Sequence, residues 1–254
     1  MTKRGAAHGL EPISRAAWVT LALTSLGQAI TILQSSVLNV AFPSIEASFA
    51  GTPRSTLAWA ITGYSIASAA LLLLAGRLAD IYGRRRIFMI GATGFAAASL
   101  GCGLAPTAGW LIGLRVVQAI GGSFMVPTSL SLMLPMFPLS RRALAVAIWG
   151  AAGAVAGAAG PPIGAAIIEV SDWRWIFFIN VPIGLVIVGL GWVTLPELKG
   201  DRADVRIDLL GIPIGSIGVA LLTLGLLQTT RWGWLDWRVL MCFAVAPVLL
   251  WVLV

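Results

Sequence analysis

The sequence predicts an all-α, multi-pass membrane protein, and three observations carry that prediction. Hydrophobic residues make up 58% of the 254 residues and charged residues only 11%, against about 25% charged residues in a soluble domain. The mean hydropathy is +0.93. Apolar runs of roughly twenty residues, the length with which a helix crosses about 30 Å of hydrocarbon, recur along the whole chain. Because these runs are too long for strands and show no period-two alternation, helices are expected throughout.

Eight membrane spans are predicted in order along the chain. The first follows a basic start, is longer than the apolar core of a signal peptide and lacks a clear small-residue cleavage site, so an uncleaved helix is expected. The predicted spans are 17–42, 57–79, 87–105, 110–136, 143–168, 176–195, 209–229 and 239–254.

Basic residues are divided unequally between the two sides of these spans. Twelve lie before the first span or in the turns and loops that share its side, and four lie in the alternate loops. Because lysine and arginine collect on the cytoplasmic side of membrane proteins, the amino terminus is predicted to be cytoplasmic. The same distribution accounts for the net charge of +7, so nucleic acid is not an expected partner.

Residues suited to metal or redox chemistry are scarce. His8, the only histidine, lies in the amino-terminal tail, and Cys102 and Cys242 lie inside apolar runs, where cysteine behaves as a small hydrophobic residue. The sequence shows no pair of acids within a span and no phosphate-binding loop. We therefore predict no metal, no cofactor and no enzyme activity.

The turn between the second and third spans, "GRLADIYGRRR", is the strongest local motif. Taken alone, it is a positive-inside anchor with an incidental acid. Its spacing, however, matches G-x-L-a-D-x-x-G-R-[RK] in full and thereby resembles the signature of the major facilitator superfamily between its second and third helices. The resemblance implies that the turn latches the cytoplasmic side and that its aspartate engages a second bundle. The matching residues are Gly76, Asp80, Gly83, Arg84, Arg85 and Arg86.

Two further stretches resemble the fourteen-span drug:proton antiporter branch of that family. They are "VLNVAFPSI" at the end of the first span and "DWRWIFFINVPIG" at the start of the sixth. The resemblance covers nearly the whole chain and implies a six-helix amino-terminal bundle, then two extra helices, then a second bundle. The implied divisions are a cytoplasmic tail 1–16, the bundle 17–195, a cytoplasmic loop 196–208 and two helices 209–254, which end inside an apolar run and are interpreted as truncated.

The fourth span, with "LIGLRVVQAIGG", contains a single arginine in an apolar run. It resembles the R-x-x-Q-G motif of the family's fourth helix, with Arg115 and Gln118 present and Ala119 where glycine is usual. An arginine at the centre of a membrane helix costs several kcal/mol. Three kinds of partner could therefore stabilise the charge of Arg115. They are neutral groups such as backbone carbonyls, Gln118, Gln34 or Asn39, an acid in the missing half, or an anionic group on the substrate.

The first span carries a polar stripe with the spacing of one helix face. It is interpreted as lining a cavity, with interhelical hydrogen bonding as the alternative. The related antiporters commonly have an acid where this chain has Gln34, which cannot take up a proton, so the usual proton-coupling group is absent from this half. The stripe is Thr24, Gln28, Thr31, Ser35 and Asn39, and the predicted coupling or substrate path is Gln34, Asn39, Arg115 and Gln118.

The fifth span carries a stripe of glycines spaced 3, 4, 3 and 4 residues apart, which predicts one face of a helix that approaches a neighbour closely. Two successive prolines remove amide donors and are expected to bend the helix. Plain packing is one interpretation, and a bending interface for alternating access is the other. The stripe is Gly150, Gly153, Gly157, Gly160 and Gly164; "GAAGPPIGA" resembles the antiporter motif G-P-x-x-G-G, and the predicted hinge is Gly157, Gly160, Pro161 and Gly164.

The resemblance implies a secondary active transporter of the cell inner membrane that exports drugs or other small molecules. Alternating access coupled to an ion gradient, with protons as the expected ion, is the implied mechanism. The expected partners are the lipid bilayer, a small-molecule substrate such as an amphipathic drug, protons, and a missing carboxyl-terminal bundle or second chain. The alternative is a truncated or half-size membrane protein that does not transport and needs that second bundle.

Overall fold

The computed structural model describes residues 13–198 and 211–251, and within these ranges all regular secondary structure is helical. Two short 3-10 turns, Leu134–Met136 and Leu139–Arg141, precede the sixth helix. The α-helices are α1 (Arg15–Ser48), α2 (Arg54–Leu57), α3 (Trp59–Tyr82), α4 (Arg84–Gly103), α5 (Ala108–Met133), α6 (Arg142–Val170), α7 (Trp175–Phe178), α8 (Asn180–Thr194), α9 (Gly211–Trp232) and α10 (Trp237–Trp251).

Six helical stretches in the described part are long and apolar enough to cross a membrane, and each coincides with one of the first six predicted spans. Two shorter apolar helices, Pro213–Thr229 and Trp237–Trp251, lie where the seventh and eighth spans are predicted. Most of the predicted tail and loop, the start of the seventh span and the end of the eighth lie outside the described residues.

The first helix is longer than predicted, because it continues through Pro43 to Ser48 instead of ending at Phe42. Pro43 lies on the exposed side of the helix, while Ala41 and Ile45 are buried in a hydrophobic cluster on the other side. A proline removes one helical hydrogen bond. Packing of the buried face keeps α1 helical beyond that point.

The helices are arranged around α1 and α5. Helix α1 packs against α6 and α8, and α5 packs against α3 and α4; α8 also contacts α4. The hairpin of α9 and α10 lies against α3. Hydrophobic clusters at opposite ends of α1, around Trp173 at one end and Phe137 at the other, close the bundle.

Candidate functional site

Arg115 is buried in the bundle with an exposed fraction of 1%. Its Nε donates to the backbone carbonyl of Ala60 at 3.0 Å, and its Nη1 donates to Oε1 of Gln118 at 2.5 Å. The guanidinium carbon lies 4.0 Å from the centre of the Tyr64 ring. Within the described ranges no carboxylate forms an ion pair with Arg115. Neutral dipoles and an aromatic face therefore surround the charge.

The amide of Gln118 is itself held in a fixed orientation. Its Nε2 donates to Oγ of Ser99 at 2.6 Å, and that hydroxyl donates to the carbonyl of Phe95 at 2.7 Å. Gln118 and Ser99 are fully buried. The amide nitrogen of Gln118 is thus used in hydrogen bonds to α4, and its amide oxygen faces Arg115. A hydrogen bond to a charged group, such as the one from Arg115 to Gln118, contributes about 1.5–3 kcal/mol.

A cavity of about 260 Å³ lies beside this cluster, between α1, α3 and α5. Its wall is mainly apolar and includes Ile32, Leu72 and Val126. Hydroxyl groups come from Thr31, Ser35, Tyr64, Ser68 and Ser123. The oxygens of Tyr64 and Ser68 are themselves buried, and the hydroxyl of Tyr64 lies among those of Ser35 and Ser68. The Tyr64 ring therefore has the Arg115 charge on its face, and Tyr64 also lines the cavity.

The polar stripe of α1 reaches this cavity through Thr31 and Ser35. The hydroxyls of both donate to carbonyls of their own helix, at 2.9 Å and 3.2 Å. Asn39 is exposed, and its amide donates to the carbonyl of Ser35 at 3.1 Å. Half-satisfied hydroxyls of this kind can still accept a hydrogen bond from a bound molecule.

Gln34 lies in a separate contact, between α1 and α8. Its Oε1 accepts a hydrogen bond from Nδ2 of Asn180 at 2.5 Å, and both side chains are at most 1% exposed. Among the described residues, Nε2 of Gln34 and Oδ1 of Asn180 have no partner. The structure therefore brings Arg115 and Gln118 together, but places Gln34 and Asn39 in two other environments.

The signature turn is built on Gly83, which ends α3 and begins α4. Its φ of 104° lies in a region that side chains other than glycine rarely adopt. The carboxylate of Asp80 lies 3.6 Å from Arg84 across the turn. Arg84 also donates to the carbonyl of Ser131 at 3.0 Å, which links the turn to the end of α5.

The end of α8 and the residues that follow it contact this turn, and the sequence does not predict this contact. The amide of Arg84 donates to the carbonyl of Leu198 at 3.1 Å. Arg85 donates to the carbonyl of Trp192 and lies 5.3 Å from the centre of its ring. A Cβ at Gly83 would collide with the carboxylate of Glu197. More than a hundred residues separate these partners, and no local pattern predicts such a contact.

The opposite side of the turn is open. A Cβ added at Gly76 would meet no atom within 4 Å. Arg86 is exposed, and the side chain of Asp80 is 40% exposed. The six motif residues are thus divided between contacts inside the bundle and a free surface.

The glycine stripe of α6 packs against α1. Gly153, Gly160 and Gly164 are buried. A Cβ at Gly153 would lie 2.6 Å from Nε2 of Gln28, and one at Gly164 would lie 3.1 Å from Cγ1 of Val37. Helix α6 continues through Pro161 and Pro162 without interruption. Close packing of the two helices is present in the structure, and bending of α6 stays a prediction.

Comparisons with known proteins agree with this architecture. The family model described as "Major Facilitator Superfamily" matches residues 24–254. The tetracenomycin C resistance and export protein of Streptomyces glaucescens is 34% identical over 229 residues, which are 90% of this chain and 42% of that protein. The multidrug resistance protein Stp of Mycobacterium tuberculosis is 32% identical over 237 residues, 93% of this chain and 44% of that protein. The chain therefore spans less than half the length of these relatives.

A solved structure of the peptide transporter POT shares the fold. It superimposes with a TM-score of 0.67 at 15% sequence identity and covers 92% of this chain and 51% of that one. At that identity the likeness concerns the arrangement of helices alone.

Proposed function

The chain belongs to the major facilitator superfamily, and from that premise we propose that it supplies one bundle of a transporter that exports small molecules. Relatives that match most of the chain are named for export of or resistance to drugs. The observation that carries the proposal is the mainly apolar cavity whose wall includes Tyr64, with the Arg115 charge 4.0 Å from the centre of that ring. No enzyme activity is proposed.

The chemistry of the cavity favours an amphipathic substrate. Apolar walls bind a ring or hydrocarbon body, while a few hydroxyls fix its orientation. The hydroxyl-bearing residues that line the cavity, with Thr31, Ser35 and Ser123 among them, suit a carbonyl, hydroxyl or anionic oxygen on the substrate. Because Arg115 has no counter-charge within the described ranges, an electron-rich group near Tyr64 is stabilised by its field.

Alternating access requires a second bundle, which we propose is supplied by further chain or by a second polypeptide. The open side of the signature turn, with Gly76 and Asp80, is the proposed contact for that bundle at the cytoplasmic side. The proposed hinge is the interface of α6 with α1, around Gly157, Gly160, Pro161 and Gly164. Rocking of two bundles around a midplane site is the general mechanism for such folds.

We propose that an ion gradient, with protons as the ion, drives export. The position that matches the family acid is Gln34, which pairs with Asn180 and does not titrate. The group that couples protons to export is therefore proposed to lie away from the contact of Gln34 with Asn180. The amino terminus is proposed to be cytoplasmic, in a multi-pass protein of the cell membrane, on the distribution of basic residues.

The experiment measures efflux of a fluorescent amphipathic dye from cells that express the complete reading frame containing this chain. Tyr64→Phe removes the hydroxyl of a cavity-lining residue but keeps the ring on Arg115, so we expect the half-saturating dye concentration to rise about 2- to 10-fold with an unchanged maximal rate. Arg115→Lys removes the planar guanidinium and its stacking on the Tyr64 ring, and a loss of rate of about tenfold or more is expected.

Ser65→Ala is the matched control, because it removes a hydroxyl from the same helix that donates to the carbonyl of Ile61 and does not line the cavity. It should leave both kinetic parameters unchanged. If Tyr64→Phe and Arg115→Lys both export the dye as the control does, the cavity is not part of the substrate path.

A further inference from the structure

The two prolines in α6 remove two amide donors, and one of the freed carbonyls has a partner on another helix. A helical amide bonds the carbonyl four residues earlier, so Pro161 leaves the carbonyl of Gly157 without its usual donor. Oγ of Ser36, on α1, lies 2.8 Å from that carbonyl oxygen and donates to it. A hydroxyl of the neighbouring helix thus replaces the missing amide.

Glycine at the next position of the stripe makes this replacement possible. A Cβ at Gly160 would collide with Oγ and Cβ of Ser36. Gly160 is buried against α1, whereas Pro161 is exposed on the other side of α6. Pro161 removes the amide donor, and Gly160 leaves the space in which the Ser36 hydroxyl donates instead.

We propose that Ser36 is a positioning residue, whose hydrogen bond to Gly157 holds α6 against α1 near Pro161. If the helices separate, Ser36 can donate within its own helix, as Thr31 and Ser35 do. The carbonyl of Gly157 is then left without a donor in an apolar environment, which is unfavourable. Separation is therefore opposed at this level, and the effect depends on proline at position 161. The inference rests on the proposed function only for its role in a transport hinge.

The test uses thiol labelling in the complete protein in its membrane. Val37→Cys provides the reporter, because Val37 is 3% exposed and contacts Gly164 at the α1–α6 interface. The labelling rate by a small membrane-permeant maleimide is measured, and the rate without the reporter is subtracted. Ser36→Ala should raise the rate about fivefold or more, since a part-buried acceptor loses its donor.

A second substitution shows whether Pro161 is the cause. Pro161→Ala returns an amide to the Gly157 carbonyl, so Ser36→Ala with Pro161→Ala should label at the parental rate. Pro162→Ala is the matched control, because its amide would face the carbonyl of Ala158 instead. Ser36→Ala with Pro162→Ala should keep the raised rate.

Equal labelling of the parent and Ser36→Ala would overturn the proposal, as would equal rescue by the two proline substitutions. If Ser36→Ala does not accumulate in the membrane, its recovery by Pro161→Ala alone supports the proposal, and lack of recovery contradicts it. Dye efflux is measured in the same cells. The expected labelling pattern without efflux would contradict only the proposed function.

Discussion

At the scale of single residues, Arg115 shows how a membrane helix bundle accommodates a cation without a carboxylate in the described part of the chain. The edge of the guanidinium meets the oxygens of Ala60 and Gln118, and its face meets the ring of Tyr64. The sequence predicts that this arginine needs partners, and Gln118 follows from its position three residues on. Ala60 and Tyr64 could not be predicted, because they belong to α3 and only tertiary packing places them there.

Gln34 gives a residue-scale prediction about proton coupling. Gln34→Glu places a titratable carboxyl against the amide of Asn180, in a contact that is otherwise neutral. We expect dye efflux by the complete protein to change its dependence on pH, because this group gains and loses a proton inside the bundle. Efflux rates across a range of external pH measure the effect.

Gln34→Met is the control for that experiment, since it removes the hydrogen bond with Asn180 without adding a titratable group. Its pH profile should match that of the parent. If the Gln34→Glu profile also matches the parent, the first span does not handle protons.

At the scale of helices, local patterns predict what lies along one element and fail for contacts between distant elements. Hydropathy places the first six spans, and the spacing of glycines in the fifth span identifies the face of α6 that packs on α1. The extension of α1 past Pro43 is missed, because burial of Ala41 and Ile45 outweighs the proline. The hydrogen bond between Arg84 and Leu198 is also missed, because neither segment carries a sequence pattern that predicts it.

The turn between α3 and α4 gives an element-scale prediction that separates two glycines of one motif. Gly83→Ala should destabilise the protein by about 1–3 kcal/mol, because alanine at a φ of 104° is strained and its Cβ meets Glu197. Gly76→Ala should leave stability unchanged or slightly higher, since its Cβ enters open space within a helix. Thermal unfolding of the purified complete protein in detergent measures both variants. Equal melting temperatures for the pair would show that the turn does not depend on the backbone of Gly83.

At the scale of the whole molecule, the open side of the signature turn predicts an effect on transport and not on assembly. Asp80→Asn in the complete protein should reduce dye efflux at least fivefold while membrane insertion is unchanged, because a weak exposed ion pair with Arg84 contributes little to folding. Asp172→Asn is the matched control, since Asp172 pairs with Arg174 at 3.1 Å on another turn and its side chain is 50% exposed.

If efflux by Asp80→Asn equals efflux by Asp172→Asn, the turn does not act as a latch.

The family and its six-helix arrangement could be predicted from motifs in order along the chain, and the family is confirmed by the match over residues 24–254. How the six motif residues divide between inner and outer contacts required the structure, because that division depends on where the end of α8 lies.

The environment of Arg115 has an electrical consequence. Its positive charge is fixed to α3 and α5 by hydrogen bonds and is not cancelled by an acid within the described ranges. Any tilt of the bundle that shifts this residue along the membrane normal moves charge through the transmembrane field. A full crossing corresponds to about 2.3 kcal/mol per 100 mV, and a partial displacement to a proportionate share. A transport cycle that uses such a tilt responds to membrane voltage even where no proton is exchanged.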